Sequence, residues 1–149
     1  ITASVPNFEL LILGDCGDAV DDATPNVTVA GFVDDVDAHI ATADIAFNPV
    51  TRGSGTNIKM FDYFAHGIPV ITTQFGARGI EATKGEEAIV TELSSFPEWV
   101  ERLVDDPELT ESIGASGRRL ATERYTWEHV SRTLRDELAT ALNVHDSIK

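Results

Sequence analysis

The stretch from Asn48 to Thr73, NPVTRGSGTNIKMFDYFAHGIPVITT, holds the residues of this chain whose types and spacing can do chemistry. An apolar run ends at Asn48, a glycine-rich turn follows, and a segment of helical period begins near Thr56. Gly53 and Gly55 let backbone approach a ligand closely. The amides of Thr56, Asn57 and Ile58, free at a helix start, can donate to a diphosphate while the helix dipole favours its charge. Such turns are common in α/β proteins, so a second feature is needed. Asp62 supplies one. The period places it next to Phe61 and Ala65 on the edge turned toward a sheet, and at about 1.5 Å per residue it lies roughly 7 to 8 Å along the helix from Asn57. A carboxylate at that distance from a diphosphate can chelate a ribose diol. The same residue can instead face solvent or pair with Arg78.

The elements that must position this turn are legible from the hydrophobic pattern. Short apolar runs, Glu9 to Leu13, Val27 to Ala30, Ile45 to Asn48, Pro69 to Thr73 and Ala88 to Thr91, alternate with segments of helical period. That is the pattern of parallel strands buried on both faces and joined by helices. The class is α/β, with five parallel strands. Asp34 to Ala43 reads as a short helix with Val36, Ile40 and Ala43 inward, and Thr56 to His66 as another, ended by Gly67. Three helices close the chain. Phe96, Trp99, Val100 and Leu103 mark the first. Asp106 and Pro107 start the second, and Thr126 caps the third, whose inner stripe is Val130, Leu134, Leu138 and Leu142. Residues Asn143 to Lys149 are expected to fray.

The segment GSGTNIKMFDYFAHGIPVITT resembles the signature of family 4 (group 1) glycosyltransferases of the GT-B fold. The flanking LLILGD, NVTVAGFVDDV, ADIAFNPV and RYTWEHVSRTL extend the resemblance over nearly the whole chain. It implies a Rossmann-like, doubly wound domain that binds a nucleotide-diphosphate sugar as donor substrate, with no further cofactor. In the family two acidic residues separated by seven others bracket this turn and helix. The second holds the ribose and falls on Asp62; the first contacts the donor sugar and falls on Ser54, a departure from the common pattern. By the same resemblance Gly31, Phe32 and Val33 meet the nucleobase, and Gly55, Thr56 and Asn57 meet the diphosphate and sugar. Lys59 either neutralises phosphate charge or faces solvent. Family members open this domain with a further strand and a Gly-rich turn bearing an Arg and a Lys. The chain is expected to be one domain, 1–149, starting past that central strand and without the acceptor domain, so that the sheet closes around the gap or borrows a strand. No catalytic acid or base can be assigned.

Composition bounds the partners. The formal net charge of −14, with 25 acidic residues against three lysines, Lys59, Lys84 and Lys149, leaves no basic stripe for a phosphate polymer or an anionic membrane. Nucleic acid is excluded, and membrane contact is left to the absent domain. A carboxylate-rich, lysine-poor surface also resembles that of salt-adapted proteins. Cys16 stands alone, and no Cys or His pair has metal-ligand spacing, so neither an internal disulfide nor a metal is expected and a reducing cytosol fits. No apolar stretch approaches the roughly 18 residues of a membrane span.

Other residues have simpler readings. Asp15 and Asp18 in GDCGD read as a polar turn, Asp34 and Asp35 as helix caps, and His66 as a helix-end residue meeting the dipole. Trp99 and Trp127 read as core or interface residues. Two further functions compete with a retaining sugar transferase. One is a nucleotide-sugar epimerase of the same broad fold. The other is a non-enzymatic receiver-like signalling module phosphorylated on Asp15, for which the late strands lack the necessary Lys.

Overall fold

A computed structural model describes residues 1–14 and 25–146. The predicted turn around Asp15, Cys16 and Asp18 lies outside them. Five strands and five α-helices follow in the order β1 (Leu10–Leu13), β2 (Val27–Gly31), α1 (Val36–Ile40), β3 (Ala46–Asn48), α2 (Lys59–His66), β4 (Val70–Thr72), β5 (Ile89–Val90), α3 (Phe96–Asp105), α4 (Pro107–Arg124) and α5 (Trp127–Asp146) among the described residues. Every strand pair is parallel, so each needs a crossover connection; the one from β3 to β4 is the helix α2, while β4 reaches β5 through turns over residues 73–88 without the helix that the alternating pattern predicts. The strands form two ladders, β1–β2 and β3–β4–β5. The gap expected beside the family's central strand is therefore not closed by pairing of β1 with β3.

The β3–β4–β5 ladder is the doubly covered centre. Val70 and Val90 point into one cluster with Met60, Phe64 and Leu120, while Ile71 and Ile89 point into another with Phe96, Val100 and Leu103. Successive strand residues face opposite sides, so α2 and part of α4 cover one face and α3 the other. The N-terminal residues Ile1, Val5 and Phe8 pack on the second cluster, with Phe8 edge-on to Phe47 at 6.4 Å between ring centroids. The β1–β2 ladder departs from the expectation of strands buried on both faces. None of its residues is fully buried, and Leu11 is exposed.

Helix ends follow the predicted chemistry. Asp35 caps α1 by accepting from the Ala38 amide at 2.9 Å, Asp106 caps α4 through Leu109 at 3.0 Å, and Thr126 accepts from His129 at 3.2 Å. Gly67 ends α2 in the left-handed region at φ 73°. Where α4 crosses α2 it carries glycine: a Cβ on Gly114 would lie 2.1 Å from the Gly67 carbonyl oxygen, and one on Gly117 would lie 2.7 Å from the Phe64 ring.

Two helical expectations are corrected. The first helix ends at Ile40, its one buried residue, so Ala43 falls beyond it and is exposed, and Val36 is exposed as well. The stripe Val130, Leu134, Leu138 and Leu142 on α5 is exposed rather than inner: its period is helical, but nothing among the described residues covers it. Trp127 beside it is 87% exposed. The helix α5 runs from Trp127 to Asp146.

Candidate functional site

The site is built from loops at the C-terminal ends of parallel strands, where ligands of open α/β sheets bind. After β3, residues 49–58 form the glycine-rich turn, and α2 starts at Lys59 rather than at Thr56. Gly53 and Gly55 take φ of 135° and 77°, a region that side chains disfavour, which is the turn's demand for glycine. Ile58, at the cap position, is a hydrocarbon and makes no side-chain cap bond. Among the described residues no acceptor takes the amides of Thr56, Asn57 or Ile58. The two helices α1 and α4 have their first-turn amides capped by aspartate. The start of α2 keeps its donors and its positive dipole end open to an anion.

Ser54, Gly55, Thr56 and Lys59 are exposed and Asn57 is half-buried. The Asn57 side chain turns away from solvent and donates to the Gly76 carbonyl at 2.8 Å, leaving its backbone amide as the group that faces a ligand. Lys59 has no ion-pair partner among the described residues. Phe32, at the end of β2, is 85% exposed, and Val33 after it is half-buried. An aromatic face this open is available for stacking.

Asp62 is on the exposed side of α2, not on the edge facing the sheet. The buried residues of α2 are Met60 and Phe64. A residue two positions from each of them is turned about 160 to 200° from the core at 3.6 residues per turn. Nor does Asp62 pair with Arg78, which bonds the Gly55 carbonyl instead. The Asp62 carboxyl is held above the ordinary aspartate range by partial burial and then by the charge of Asp37, with His66 pulling the other way. His66 is the link: its Nδ1 lies 2.8 Å from the Asp62 carbonyl and its Nε2 3.9 Å from Asp37 on α1. Through this contact α1, which follows the connection carrying Phe32 and Val33, approaches the helix that carries Asp62.

The loop after β4, residues 73–80, completes the site. Arg78 donates to the Gly55 carbonyl at 2.5 Å, and its guanidinium lies 4.1 Å over the Phe75 ring. Asn48, fully buried at the end of β3, donates to Thr72 at 3.2 Å and to the Gly76 carbonyl at 3.1 Å. A Cβ on Gly76 would lie 2.4 Å from Thr72 Oγ1 and 2.9 Å from the Asn48 carbonyl oxygen. The hydrophobic pattern assigns this loop no role beyond a pairing of Arg78 with Asp62. The available signal was TQFGARGI itself, two glycines and an arginine directly after a buried strand.

Residues 1–106 match the family model described as glycosyl transferases group 1. The chain is 28% identical over 151 residues to a GDP-mannose-dependent alpha-(1-6)-phosphatidylinositol monomannoside mannosyltransferase of Mycobacterium tuberculosis, covering 93% of this chain and 38% of that protein. It is 25% identical over 140 residues to the capsular polysaccharide biosynthesis glycosyltransferase CapM of Staphylococcus aureus, covering 83% of this chain and 37% of that protein. Its fold is similar to that of Anabaena HepE, crystallised with UDP and glucose, at a TM-score of 0.78 and 17% identity over 90% of this chain and 41% of that one. The chain thus spans about two fifths of the length of the proteins it matches.

Proposed function

The chain belongs to the group 1 glycosyl transferases, and from that premise we propose that it binds the nucleotide-diphosphate sugar from which such an enzyme transfers a hexose-like sugar, with retention, to an acceptor. The observation that carries the proposal is the open start of α2, three consecutive amides without acceptors behind a turn of left-handed glycines. These amides, with Lys59 nearby, hold the diphosphate. Asp62 chelates the ribose, Phe32 and Val33 contact the base, and Ser54 stands where the donor sugar begins. Negative charge grows on the leaving diphosphate in the transition state, so oriented amides lower the barrier by binding that state better than the ground state. The donor is a substrate, and this reading requires neither a cofactor nor a metal.

Relatives of more than twice this length carry the rest of the enzyme, and we assign acceptor binding to that remainder. The isolated chain should therefore bind a nucleoside diphosphate and transfer no sugar. Turnover by the purified chain in a donor-consumption assay would contradict the division of labour.

The acidic surface supports a separate proposal, that the fold is adapted to salt. Among the described residues only Arg124 with Glu81 and Arg132 with Glu128 pair an arginine with a carboxylate, both exposed, so few of the 25 acidic residues have an arginine partner. Raising salt should lift the melting temperature beyond the point, about 0.1 to 0.2 M, at which simple screening is largely complete. An unchanged melting temperature between dilute buffer and molar salt would remove this proposal. No helix among the described residues is long and apolar enough to cross a membrane.

A further inference from the structure

We infer that Arg78 is a positioning residue of the donor site: it orients the Gly55–Thr56 peptide so that the amides opening α2 form a fixed set of diphosphate donors, a role that rests on the donor-site reading above. Three consecutive residues of the turn lie against the loop after β4, and two of them are hydrogen-bonded to it. The Gly55 carbonyl accepts from Arg78 at 2.5 Å, and the Asn57 side chain donates to the Gly76 carbonyl at 2.8 Å. Thr56 lies so close to Gly79 that a Cβ there would stand 2.7 Å from its Oγ1.

The loop can act as a template because its base is fixed. Thr73 Oγ1 donates to the Val50 carbonyl and accepts from the Gly76 amide, the Ala77 amide donates to the Thr73 carbonyl at 3.0 Å, and buried Asn48 grips Gly76 from below. Arg78 itself is steadied by lying over Phe75, a contact that lets a flat guanidinium stack and donate at once. In a trans peptide the carbonyl and the following N–H point in opposite directions. Holding the Gly55 oxygen toward Arg78 therefore aims the Thr56 N–H away from it, to the side where no described residue accepts. Glycines at 53 and 55 would otherwise leave this peptide free to rotate, and each rotation would have to be arrested when a ligand binds.

The experiment compares the wild-type chain with Arg78→Gln and Arg78→Lys, using inorganic pyrophosphate, UDP and GDP as probes, and records amide resonances with and without them. Glutamine should weaken diphosphate binding about tenfold, the scale of one lost hydrogen bond to a charged group. It should shift the Thr56 and Asn57 amides already in the ligand-free chain and leave the melting temperature within about 2 °C, since Arg78 is exposed. Lysine keeps the charge but not the planar fork, and should restore less than half of the loss. Full restoration by lysine, unchanged ligand-free resonances, or affinity within twofold of wild type in the glutamine variant would each overturn the inference. Failure of the wild-type chain to bind any of the three probes would instead overturn the donor-site reading, and the inference with it.

Discussion

Gly114→Ala should lower the stability of this chain by about 3 kcal/mol or more, the upper end of what overpacking costs. The added methyl would stand 2.1 Å from the Gly67 carbonyl oxygen and 3.1 Å from its carbon, and both are backbone atoms of the residue that ends α2. No rotamer can relieve such a contact, so α4 must move away from α2. That opens the cluster in which Met60 and Phe64 meet Leu120 and Ala121. At about 2 to 4 °C per kcal/mol for a chain of this size, the melting temperature should fall by roughly 10 °C. Circular dichroism on heating checks this. A fall of less than about 2 °C would mean that the two helices can separate without loss. Because α2 also carries the donor amides at its other end, diphosphate affinity should fall with the packing.

Asp62→Asn should weaken binding of a ribonucleoside diphosphate by roughly ten to a hundred fold, since it removes the charged acceptor of a ribose diol. The 2′-deoxy analogue, already lacking one hydroxyl, should lose much less. Equal losses for both would indicate general damage to α2, and no loss for either would make Asp62 a surface carboxylate. Stability provides an internal control. The raised Asp62 pKa means that the folded chain holds this proton more tightly than the unfolded chain, so the group favours folding at acid pH. That contribution is lost as pH rises from the unfolded value through the raised one. At neutral pH the folded state carries the cost of a partly desolvated carboxylate beside Asp37, and asparagine should remove it. The variant should therefore melt no lower than wild type while binding less. For the same reason affinity for the ribose should decline as pH falls through the raised pKa, at a higher pH than for an ordinary aspartate.

Fold class and the turn were legible because both depend on local chemistry. A short continuous apolar run such as Pro69 to Thr73, closed by turn residues, has the pattern of a doubly covered strand, though β1 and β2 show that the same pattern does not guarantee cover on both faces, and glycine at 53 and 55 before a helical period marks a turn that needs unusual φ. Caps at Asp35, Asp106 and Thr126 and the stop at Gly67 were readable for the same reason. What stayed hidden depends on which elements meet. The period of α5 was correct, but a period does not say whether anything lies opposite Leu134 and Leu138. Gly114 and Gly117 gave a sign, being glycines inside a helix, yet only the crossing of α4 over α2 shows what they make room for. For Asp62 the error was one of phase. Choosing Phe61 and Ala65 as the inner face, rather than Met60 and Phe64, rotated the carboxylate toward the core. The anchoring loop at Gly76 to Gly79 was missed because its partners, Gly55, Thr56 and Asn57, lie about twenty residues away and in another connection.

The central claim is that the opening amides of α2 hold a diphosphate. It is tested most directly by titrating the isotope-labelled chain with UDP and GDP while following every backbone amide. The account predicts saturable shifts that are largest at Thr56, Asn57 and Ile58, with smaller ones at Phe32, Val33 and Asp62. Saturable binding with its largest shifts elsewhere, and none at these three amides, would contradict it.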